Sequence, residues 1–250
     1  MHVCIPSKGR PNTAAYKLLQ NDGIAFTHFV EPQDAVDYAA ANVPNLFVLS
    51  ANDQGIAFVR NAILDWARHN RHDWIWMMDD DVSGFGTAKA GKTIKGDASV
   101  LQQVHERLAP FRYPVNGINY CQYAWSYSIK PKRFAVNKRP AEVCTLLFVP
   151  KITWQYRPRL NLKEDRDFCM QAVQNSDGII IDLFSWFNCP GVGTNPGGLQ
   201  TLYRQQRDHE AAAKLAAEWA PFTKLVKKKD RVDCKLDIAG FAKSLERQVK

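Results

Sequence analysis

The chain has 250 residues, 46% of them hydrophobic, and a formal net charge of +8. This length suits one large domain with a substantial core. The six cysteines are scattered without a Cys-x-x-Cys pair, which indicates reduced thiols and disfavours a disulfide framework or a zinc site. Because no apolar run is long enough for a bilayer span and no secretory segment precedes the first predicted strand, we expect a cytoplasmic protein without membrane contact.

The positive charge is concentrated in one part of the chain. Residues 100–161 contain ten Lys and Arg against two acids, Glu106 and Glu142. Subtracting these from the totals of 33 and 25 leaves 23 basic and 23 acidic residues elsewhere, so this segment carries the whole excess. A localised basic surface indicates a polyanionic partner.

The first 85 residues alternate between predicted strands and helices, as in a parallel nucleotide-binding sheet. Hydrophobic runs predict strands at His2–Pro6, Ile24–Val30, Leu46–Ser50 and Trp74–Met78. Helical spacing predicts helices at Thr13–Gln20, at Gln33–Ala41 and, after an N-cap at Asn52 or Asp53, up to Asn70. The turn from Ser7 to Pro11 suits a phosphate or a nucleobase, although an ordinary basic turn is the alternative.

Three aspartates, Asp79, Asp80 and Asp81, directly follow the fourth predicted strand. Ligands of α/β sheets bind just beyond the carboxyl ends of the strands. Adjacent carboxylates repel one another, so they are stable there only if water or a cation neutralises them. Hard oxygen ligands suit Mg²⁺ or Mn²⁺, with a substrate phosphate completing the coordination shell. A solvated acidic turn is the alternative interpretation.

The second half of the chain continues the α/β pattern. A mobile loop rich in Gly and Lys is predicted from Thr87 to Gly96. Strands are predicted at Val115–Cys121, Val143–Val149, Ile179–Leu183 and Val232–Leu236, and helices at 98–109, 164–174, 199–219 and from Ile238. The turn-rich segment 191–198 is typical of an active-site loop, and the basic run 224–231 indicates a solvated connection. Without repeats or linkers, we expect one domain.

Aromatic and basic residues interleave between residues 120 and 159, and Trp154 and Tyr156 are among the aromatic ones. Aromatic rings stack on bases at roughly 1–3 kcal/mol each, and cations follow the phosphates. The alternative is a β-rich segment with its aromatics in the core and its cations in water. The residues expected to contact nucleic acid are Trp125, Tyr127, Lys130, Lys132, Arg133, Lys138 and Arg139.

Glu164 and Asp165 open the predicted helix at 164–174. Acids at a helix N-terminus are favoured by the helix dipole by roughly 0.3–1 kcal/mol, and this stabilisation is one interpretation of the two residues. The functional interpretation is a carboxylate held above the metal edge as a general base.

The order of these pieces resembles a GT-A glycosyltransferase, with a Ser-x-Gly-Arg-Pro turn, a helix carrying Arg60-Asn61, a strand ending in Asp79-Asp80-Asp81, and Glu164-Asp165 opening a later helix. The resemblance covers about residues 2–200. It implies an α/β, Rossmann-like fold with a mixed, mainly parallel central sheet flanked by helices. Within that fold, the chain is similar to the TET-associated glycosyltransferases, phage and related enzymes that put sugars on 5-hydroxymethylated pyrimidines in DNA.

The resemblance also implies roles for individual residues. Those expected at the nucleotide-sugar are Pro6, Ser7, Gly9, Arg10, Arg60, Asp79 and Asp80. The metal ligands implied are Asp81 and Asp79, with Asn188 where many enzymes of this fold supply a histidine. Asp165, with Glu164 beside it, is the implied base for the acceptor hydroxyl. The implied cofactors are Mn²⁺ or Mg²⁺ and a UDP-sugar, either UDP-glucose or UDP-N-acetylglucosamine.

We therefore expect a monomer that acts on DNA, in the host cell cytoplasm if it is encoded by a phage. Residues 1–100 are the expected nucleotide-sugar half, 101–200 the acceptor half and 201–250 a helical extension. Three other functions stay open. They are a glycosyltransferase with a protein or glycan acceptor, a two-metal nuclease or nucleotidyltransferase, and a DNA-binding module without catalysis.

Overall fold

The computed structural model describes residues 1–191, 198, 200, 207–228 and 231–248. Its strands are β1 (His2–Pro6), β2 (Phe26–Val30), β3 (Leu46–Val48), β4 (Trp74–Met78), β5 (Gly84–Lys89), β6 (Lys92–Gly96), β7 (Val115–Tyr120), β8 (Phe134–Val136), β9 (Cys144–Phe148), β10 (Ile179–Asn188), β11 (Thr223–Lys228) and β12 (Arg231–Leu236). Its α-helices are α1 (Ala14–Asn21), α2 (Ala35–Ala40), α3 (Ile56–His69), α4 (Ser99–Leu108), α5 (Cys121–Ser128), α6 (Glu164–Asn175), α7 (Arg207–Glu218) and α8 (Ile238–Gln248).

Ten of the described strands form one mixed sheet in the order β3-β2-β1-β4-β9-β7-β10-β5-β6, with β8 paired to β10. The pairings among β3, β2, β1 and β4 are parallel, as is that of β7 with β10, and the others are antiparallel. This confirms the predicted α/β fold, with a mixed central sheet flanked by helices.

The strand β4 shows how the sheet divides the core. Side chains alternate along a strand, so Ile75 and Met77 join the cluster on one face while Trp76 and Met78 join the cluster on the other. Helices α3 and α6 contribute to the first cluster, and α1 and α4 to the second. Each such side chain contributes roughly 1.5–3 kcal/mol by burial. The strand ahead of the aspartates is therefore held firmly from both sides.

The carboxyl ends of several strands meet at one edge of the sheet. Strands β1, β4, β7 and β10 all end there, and β9 begins there because it runs antiparallel between β4 and β7. Met78 pairs with Cys144 at this edge. The segments that follow or precede these strand ends therefore converge on one region.

The long helix α3 begins later than predicted. It starts at Ile56, and the predicted N-cap at Asn52 or Asp53 is wrong because Gly55 takes that position, with a φ of 82° and no side-chain cap. A Cβ on Gly55 would lie 2.6 Å from the side-chain nitrogen of Asn161, and only glycine adopts this φ readily. The φ of Gly55 and a side chain from a distant loop, Asn161, whose Oδ1 accepts the Ala57 N–H at 3.4 Å, fix this helix start.

The loop predicted from Thr87 to Gly96 is also wrong, because this segment forms the hairpin β5–β6. Ala90 and Gly91 make a two-residue turn with φ values of 48° and 79°, and two positive φ values suit a tight hairpin turn. Strand β5 is held on its other side by β10. Lys and Gly are poor strand formers, so pairing to the sheet stabilises what the local pattern does not indicate.

The C-terminal segment 201–250, expected to be helical, contains the hairpin β11–β12 between two helices. The basic run at 224–231 is thus largely strand and not a connection. Of the helix predicted at 199–219, the structure describes α7, and the turn-rich segment at 192–197 lies outside the described residues. Trp219 and Phe241 join the same core cluster as Phe168 of α6, so this segment shares the main core.

All six cysteines are free thiols, and four of them are buried. Throughout the described ranges, no helix has both the length and the apolar character needed to span a bilayer.

Candidate active site

A cavity of about 560 Å³ opens at the carboxyl edge of the sheet. Its wall is built from the turn after β1, the residues after β4, the beginning of α3 and the beginning of α6. The predicted donor, metal and catalytic residues that line it are Pro6, Ser7, Arg10, Arg60, Asp79, Asp80, Asp81, Glu164 and Asp165. Residues from separate parts of the chain therefore share one site.

Asp80 is committed to contacts within the protein. One of its carboxylate oxygens accepts a hydrogen bond from the Ser7 hydroxyl at 2.6 Å, and the other accepts one from Arg10 Nη1 at 2.8 Å. Burial raises the pKa of Asp80, against the opposing effects of Arg10 and Ser7. Both oxygens of this carboxylate are used to join the turn after β1 to the end of β4.

Tyr38, which sequence reasoning missed, completes this network. Its hydroxyl accepts the backbone N–H of Arg10 at 3.0 Å and lies 2.6 Å from the Ser7 hydroxyl. Since Ser7 donates its only hydrogen to Asp80, Tyr38 donates to Ser7. Burial raises the pKa of Tyr38, so it stays a donor. In the sequence Tyr38 reads only as an apolar position of a short helix.

Asp79 and Asp81 point their carboxylates toward the cavity. Asp79 Oδ1 lies 3.1 Å from Arg60 Nη2, and Asp81 Oδ2 lies 3.9 Å from Arg10 Nη1. Burial raises the pKa of Asp79 to about 6, while Arg60 acts in the opposite direction. The cavity thus presents two carboxylates, each with an arginine nearby.

This pair of carboxylates fits a divalent cation that is completed by substrate oxygens. Within the described ranges, no three His, Cys, Asp or Glu side chains are grouped as a metal-binding set. Mg²⁺ in phosphate-binding enzymes is commonly held by one or two carboxylates plus the phosphates of the substrate. Asp79 and Asp81 are the residues that would hold such an ion, since Asp80 is occupied by Ser7 and Arg10.

Arg60 connects the aspartates to the start of α6. It is only 7% exposed, and its Nη1 lies 3.5 Å from Glu164 Oε1 while its Nη2 contacts Asp79. The second oxygen of Glu164, Oε2, is buried without a hydrogen-bond partner among the described residues. Burial raises the pKa of Glu164 from its ordinary 4.5 to about 7, with Arg60 opposing. Asp165 lines the cavity beside it, and its Oδ1 accepts a backbone N–H at 2.7 Å.

Replacing Glu164 with Gln is expected to change how stability depends on pH. The folded state favours protonated Glu164 because its pKa is raised there. Ionisation of this carboxyl therefore lowers the free energy of unfolding of the wild type as the pH rises from 4.5 through about 7. Gln is uncharged throughout, so the variant should lose less stability than the wild type between about pH 5 and about pH 8. Thermal unfolding followed by circular dichroism measures both slopes. Equal slopes would contradict titration of Glu164 in this range.

Two predicted site residues lie off the cavity wall. Asn188 is turned to Ser83, since its side-chain amide donates to the Ser83 hydroxyl at 3.1 Å. Its backbone carbonyl accepts the Ser83 N–H at 2.8 Å. Its neighbour Cys189 lines the cavity instead, and burial, followed by Asp81, raises the pKa of this thiol to about 12. Gly9 donates its N–H to the carboxylate of Asp34, the residue before α2, at 3.0 Å. Asn195, an amide residue in the segment after β10, lies outside the described residues.

A second group of charges on the wall was missed. Lys8 donates to Glu31 at 2.7 Å and also contacts Asp53. Glu31 is 4% exposed and directly follows β2, just as the aspartates follow β4. The same strand-end signal could have found it. This ion-paired group belongs to the part of the wall formed where β1 and β2 end.

The aromatic and basic residues divide into exposed and structural members. Trp125 on α5 is 49% exposed, and Lys130, Lys132 and Lys138 are exposed. Tyr127 is partly buried, with Lys130 Nζ 5.1 Å and the Arg139 guanidinium 5.3 Å from its ring centre. The segment that carries them is a helix followed by a short strand, not a β-rich unit.

Trp154 and Tyr156 belong to the protein interior, whereas Arg133 is partly exposed and its guanidinium is held in an ion pair. Arg133 donates twice, at 3.0 Å each, to the fully buried Asp182. Trp154 and Tyr156 lie in the core, where the Tyr156 ring stacks on Phe168 at 3.9 Å. The alternative interpretation, with aromatics facing the core, holds for this part of the segment.

Replacing Asp182 with Asn is expected to lower the free energy of unfolding by about 1.5–3 kcal/mol. Asp182 is fully buried and pairs with both Arg107 and Arg133, so the variant leaves two cations without their counter-charge. Urea denaturation measures the change. Asp177→Asn is the control, because it removes an exposed pair with Lys151 and should cost at most about 1 kcal/mol. Equal effects would contradict a structural role for Arg133.

The sheet and the acidic cavity at its carboxyl edge define the class of fold, a mixed α/β domain with a ligand site at the strand ends. The family model described as TET-Associated Glycosyltransferase matches residues 1–193. This match covers more than half of the chain, so the chain belongs to that family. The predicted glycosyltransferase class is confirmed, and the matched range ends just after β10, with α7, α8 and the β11–β12 hairpin beyond it.

Two solved structures are similar to this chain. A crystal structure of A197 from STIV has a TM-score of 0.40 and 18% identity, covering 72% of this chain and 80% of that one. A mannose-1-phosphate geranyltransferase from Thermus thermophilus has a TM-score of 0.42 and 7% identity, covering 100% of this chain and 99% of that one. No curated protein matches the chain.

Proposed function

We propose that this protein transfers a sugar from a UDP-sugar to the hydroxymethyl group of 5-hydroxymethylcytosine in DNA, with Mn²⁺ or Mg²⁺ as the metal. The observation that carries the proposal is one cavity that holds Asp79 and Asp81 together with Asp165. The first two suit a cation on a diphosphate, and the third suits a base for an incoming hydroxyl.

The donor end of the proposal is supported by the charges and size of the cavity. A volume of about 560 Å³ is in the range of small-molecule sites. Arg10 and Arg60 provide positive charge for a diphosphate, and each is already oriented by carboxylates. When bound, the divalent cation supplies a positive charge that stabilises the leaving diphosphate. Asp79 and Asp81 would hold that cation.

The acceptor end requires a base, because a primary alcohol is a poor nucleophile. In the proposed step, the acceptor oxygen forms a bond to the anomeric carbon while the bond from that carbon to the phosphate oxygen breaks and UDP leaves. Asp165 accepts the proton of the hydroxyl. Glu164 is less suited by its position, since one of its oxygens faces Arg60 and the other is buried. A positioned base typically contributes 10²–10⁴-fold to the rate.

DNA is the acceptor that the charge distribution favours. The excess positive charge falls within residues 100–161, and exposed aromatic side chains accompany it on α5. A base inside a duplex has to be flipped out before its hydroxymethyl group reaches a cavity at the end of the sheet. Exposed aromatic rings could compensate part of the lost stacking.

The test is transfer of labelled sugar from UDP-glucose or UDP-N-acetylglucosamine to duplex DNA that contains 5-hydroxymethylcytosine, with Mn²⁺ present. The same duplex with unmodified cytosine is the matched control. Labelling of the modified duplex alone supports the proposal. Absence of transfer with all common donors contradicts it, and transfer to a glycan or protein acceptor instead would replace the DNA acceptor. Cleavage or extension of the DNA with Mg²⁺ alone would favour a nuclease or nucleotidyltransferase.

A further inference from the structure

The hairpin β5–β6 and the helix α5 form one packed unit. The backbone N–H of Gly91, in the hairpin turn, donates to the Ser128 hydroxyl at the end of α5 at 2.9 Å. Beneath the helix, Ala124 packs with Ala88 and Trp186 in a small buried cluster. The unit therefore presents a surface of fixed shape, which we name the hairpin–helix surface and define by residues 84–96 and 121–132.

Every charged side chain of this surface is a lysine. Neither residues 84–96 nor residues 121–132 contain an Asp or a Glu. Their cations are Lys89, Lys92, Lys95, Lys130 and Lys132. All five are exposed, and three of them lie in a hairpin that sequence reasoning took for a loop. A surface of this charge is complementary to a polyanion.

Large apolar side chains are exposed on the helix of this unit. Tyr123 and Trp125 on α5 are 47% and 49% exposed, and Ile129, just after the helix, is 65% exposed. Of the hairpin lysines, Lys95 lies on the strand face that packs against α5, whereas Lys89 and Lys92 lie on the opposite face. Aromatic faces next to cations are the combination that binds nucleic acid strands, because bases stack on the rings while phosphates meet the cations. An anionic membrane would use the same cations but has no bases to stack.

The hairpin–helix surface begins at the cavity and extends away from it. Tyr120, the residue before α5, lines the cavity, and its ring centre is 6.4 Å from that of Tyr123. Gly84, the first residue of β5, pairs with Asn188 at the same edge of the sheet. The eight residues of α5 extend for ~12 Å and the six of β5 for ~20 Å. At ~3.4 Å for each nucleotide of a strand, this surface accommodates about four to six nucleotides.

We propose that the hairpin–helix surface binds the acceptor DNA on one side of the reacting base, over about four to six nucleotides. This inference rests on the proposed function, since it names the residues that hold the proposed acceptor. It adds a specific route for the strand, from the cavity past Tyr120 and Tyr123 to the lysines of the hairpin.

The first test compares two double charge reversals in the full-length protein. Lys95→Glu with Lys132→Glu changes the α5 side of the surface, and Lys214→Glu with Lys243→Glu places the same charge change on exposed positions of α7 and α8. Fluorescence anisotropy measures binding of a modified duplex over a series of salt concentrations. We expect the surface variant to lose at least about tenfold in affinity and about two units of salt slope relative to the control. Equal affinities in the two variants would overturn the inference and leave the hairpin lysines as protection of an edge strand.

The second test addresses stacking and length. Trp125→Ala should weaken binding by at least about fivefold, because base stacking is lost. Lengthening the DNA on one side of the modified base should raise affinity until the flank reaches about four to six nucleotides. Affinity that is independent of flank length would overturn the inference. So would equally tight binding to phosphatidylserine vesicles that shows the same loss on Lys95→Glu with Lys132→Glu. Binding is measured without a donor, so failure of sugar transfer with these binding results intact would remove the proposed function and not this surface.

Discussion

Replacing Asp81 with Asn is expected to abolish the Mn²⁺-dependent stabilisation by a UDP-sugar and to lower kcat by about 10³-fold. Asp81 and Asp79 are the carboxylates assigned to a cation, because Asp80 is bonded to Ser7 and Arg10. In the wild type, a ligand at 100 times its Kd adds about 2.7 kcal/mol, or roughly 5–10 °C in Tm for a protein of this size. Loss of one charge-stabilising group at a leaving group typically costs 10²–10³-fold in rate.

A thermal-shift titration with UDP-glucose and Mn²⁺ measures this effect, and chelation of the metal with EDTA should reproduce it in the wild type. Asp65→Asn is the matched control, since Asp65 is an exposed acid paired with Arg68 on the surface of α3. Without ligand, Asp81→Asn should be as stable as the wild type or more so, because one of three adjacent like charges is gone. A full Mn²⁺-dependent shift in the variant would show that the metal assignment is wrong.

Replacing Asp165 with Asn is expected to lower kcat by about 10²–10⁴-fold while donor binding is retained. The amide occupies the same volume but cannot accept the proton of the acceptor hydroxyl. Its oxygen can still accept the backbone N–H at the start of α6, so the local structure should persist. Steady-state kinetics on modified DNA gives kcat, and the thermal shift with UDP-sugar and Mn²⁺ gives donor binding.

Glu164→Gln is the informative comparison for Asp165→Asn. Glu164 faces Arg60, which also contacts Asp79, so its loss should disturb the donor side of the cavity and weaken the thermal shift. We therefore expect the Asp165 variant to lower kcat and the Glu164 variant to weaken donor binding. If Asp165→Asn kept the wild-type kcat, Asp165 would not be the base.

Much of the fold was predictable because its signals are local. Apolar runs bounded by turns predicted β1, β4, β7, β9 and β10, and helical spacing predicted α1, α3, α4 and α6. Each of these patterns reflects burial of one face of an element, which neighbouring residues encode. The rule that ligands bind at the carboxyl ends of strands then predicts a site at Asp79 and Asp81, and the cavity there also contains Asp165.

The partner of each charge was decided only by the tertiary structure. In the sequence, Asp79, Asp80 and Asp81 are equivalent, yet Asp80 alone is bonded to both Ser7 and Arg10, because the turn after β4 directs its side chain toward the turn after β1. In the sequence Arg133 reads as a free surface cation, but the structure pairs its guanidinium with the buried Asp182. A charge is stabilised by whatever the fold brings near it, and that neighbour is often distant in the chain.

The hairpin β5–β6 shows the same limit for secondary structure. Its lysines and glycines have no strand preference of their own, and pairing with β10, nearly a hundred residues later, holds it in the sheet. The sequence by itself determined the family, the strand-end acids and the location of the positive charge. The tertiary structure decided which acids face the cavity and how the lysines of the hairpin join α5, because long-range pairing, and not local preference, sets both.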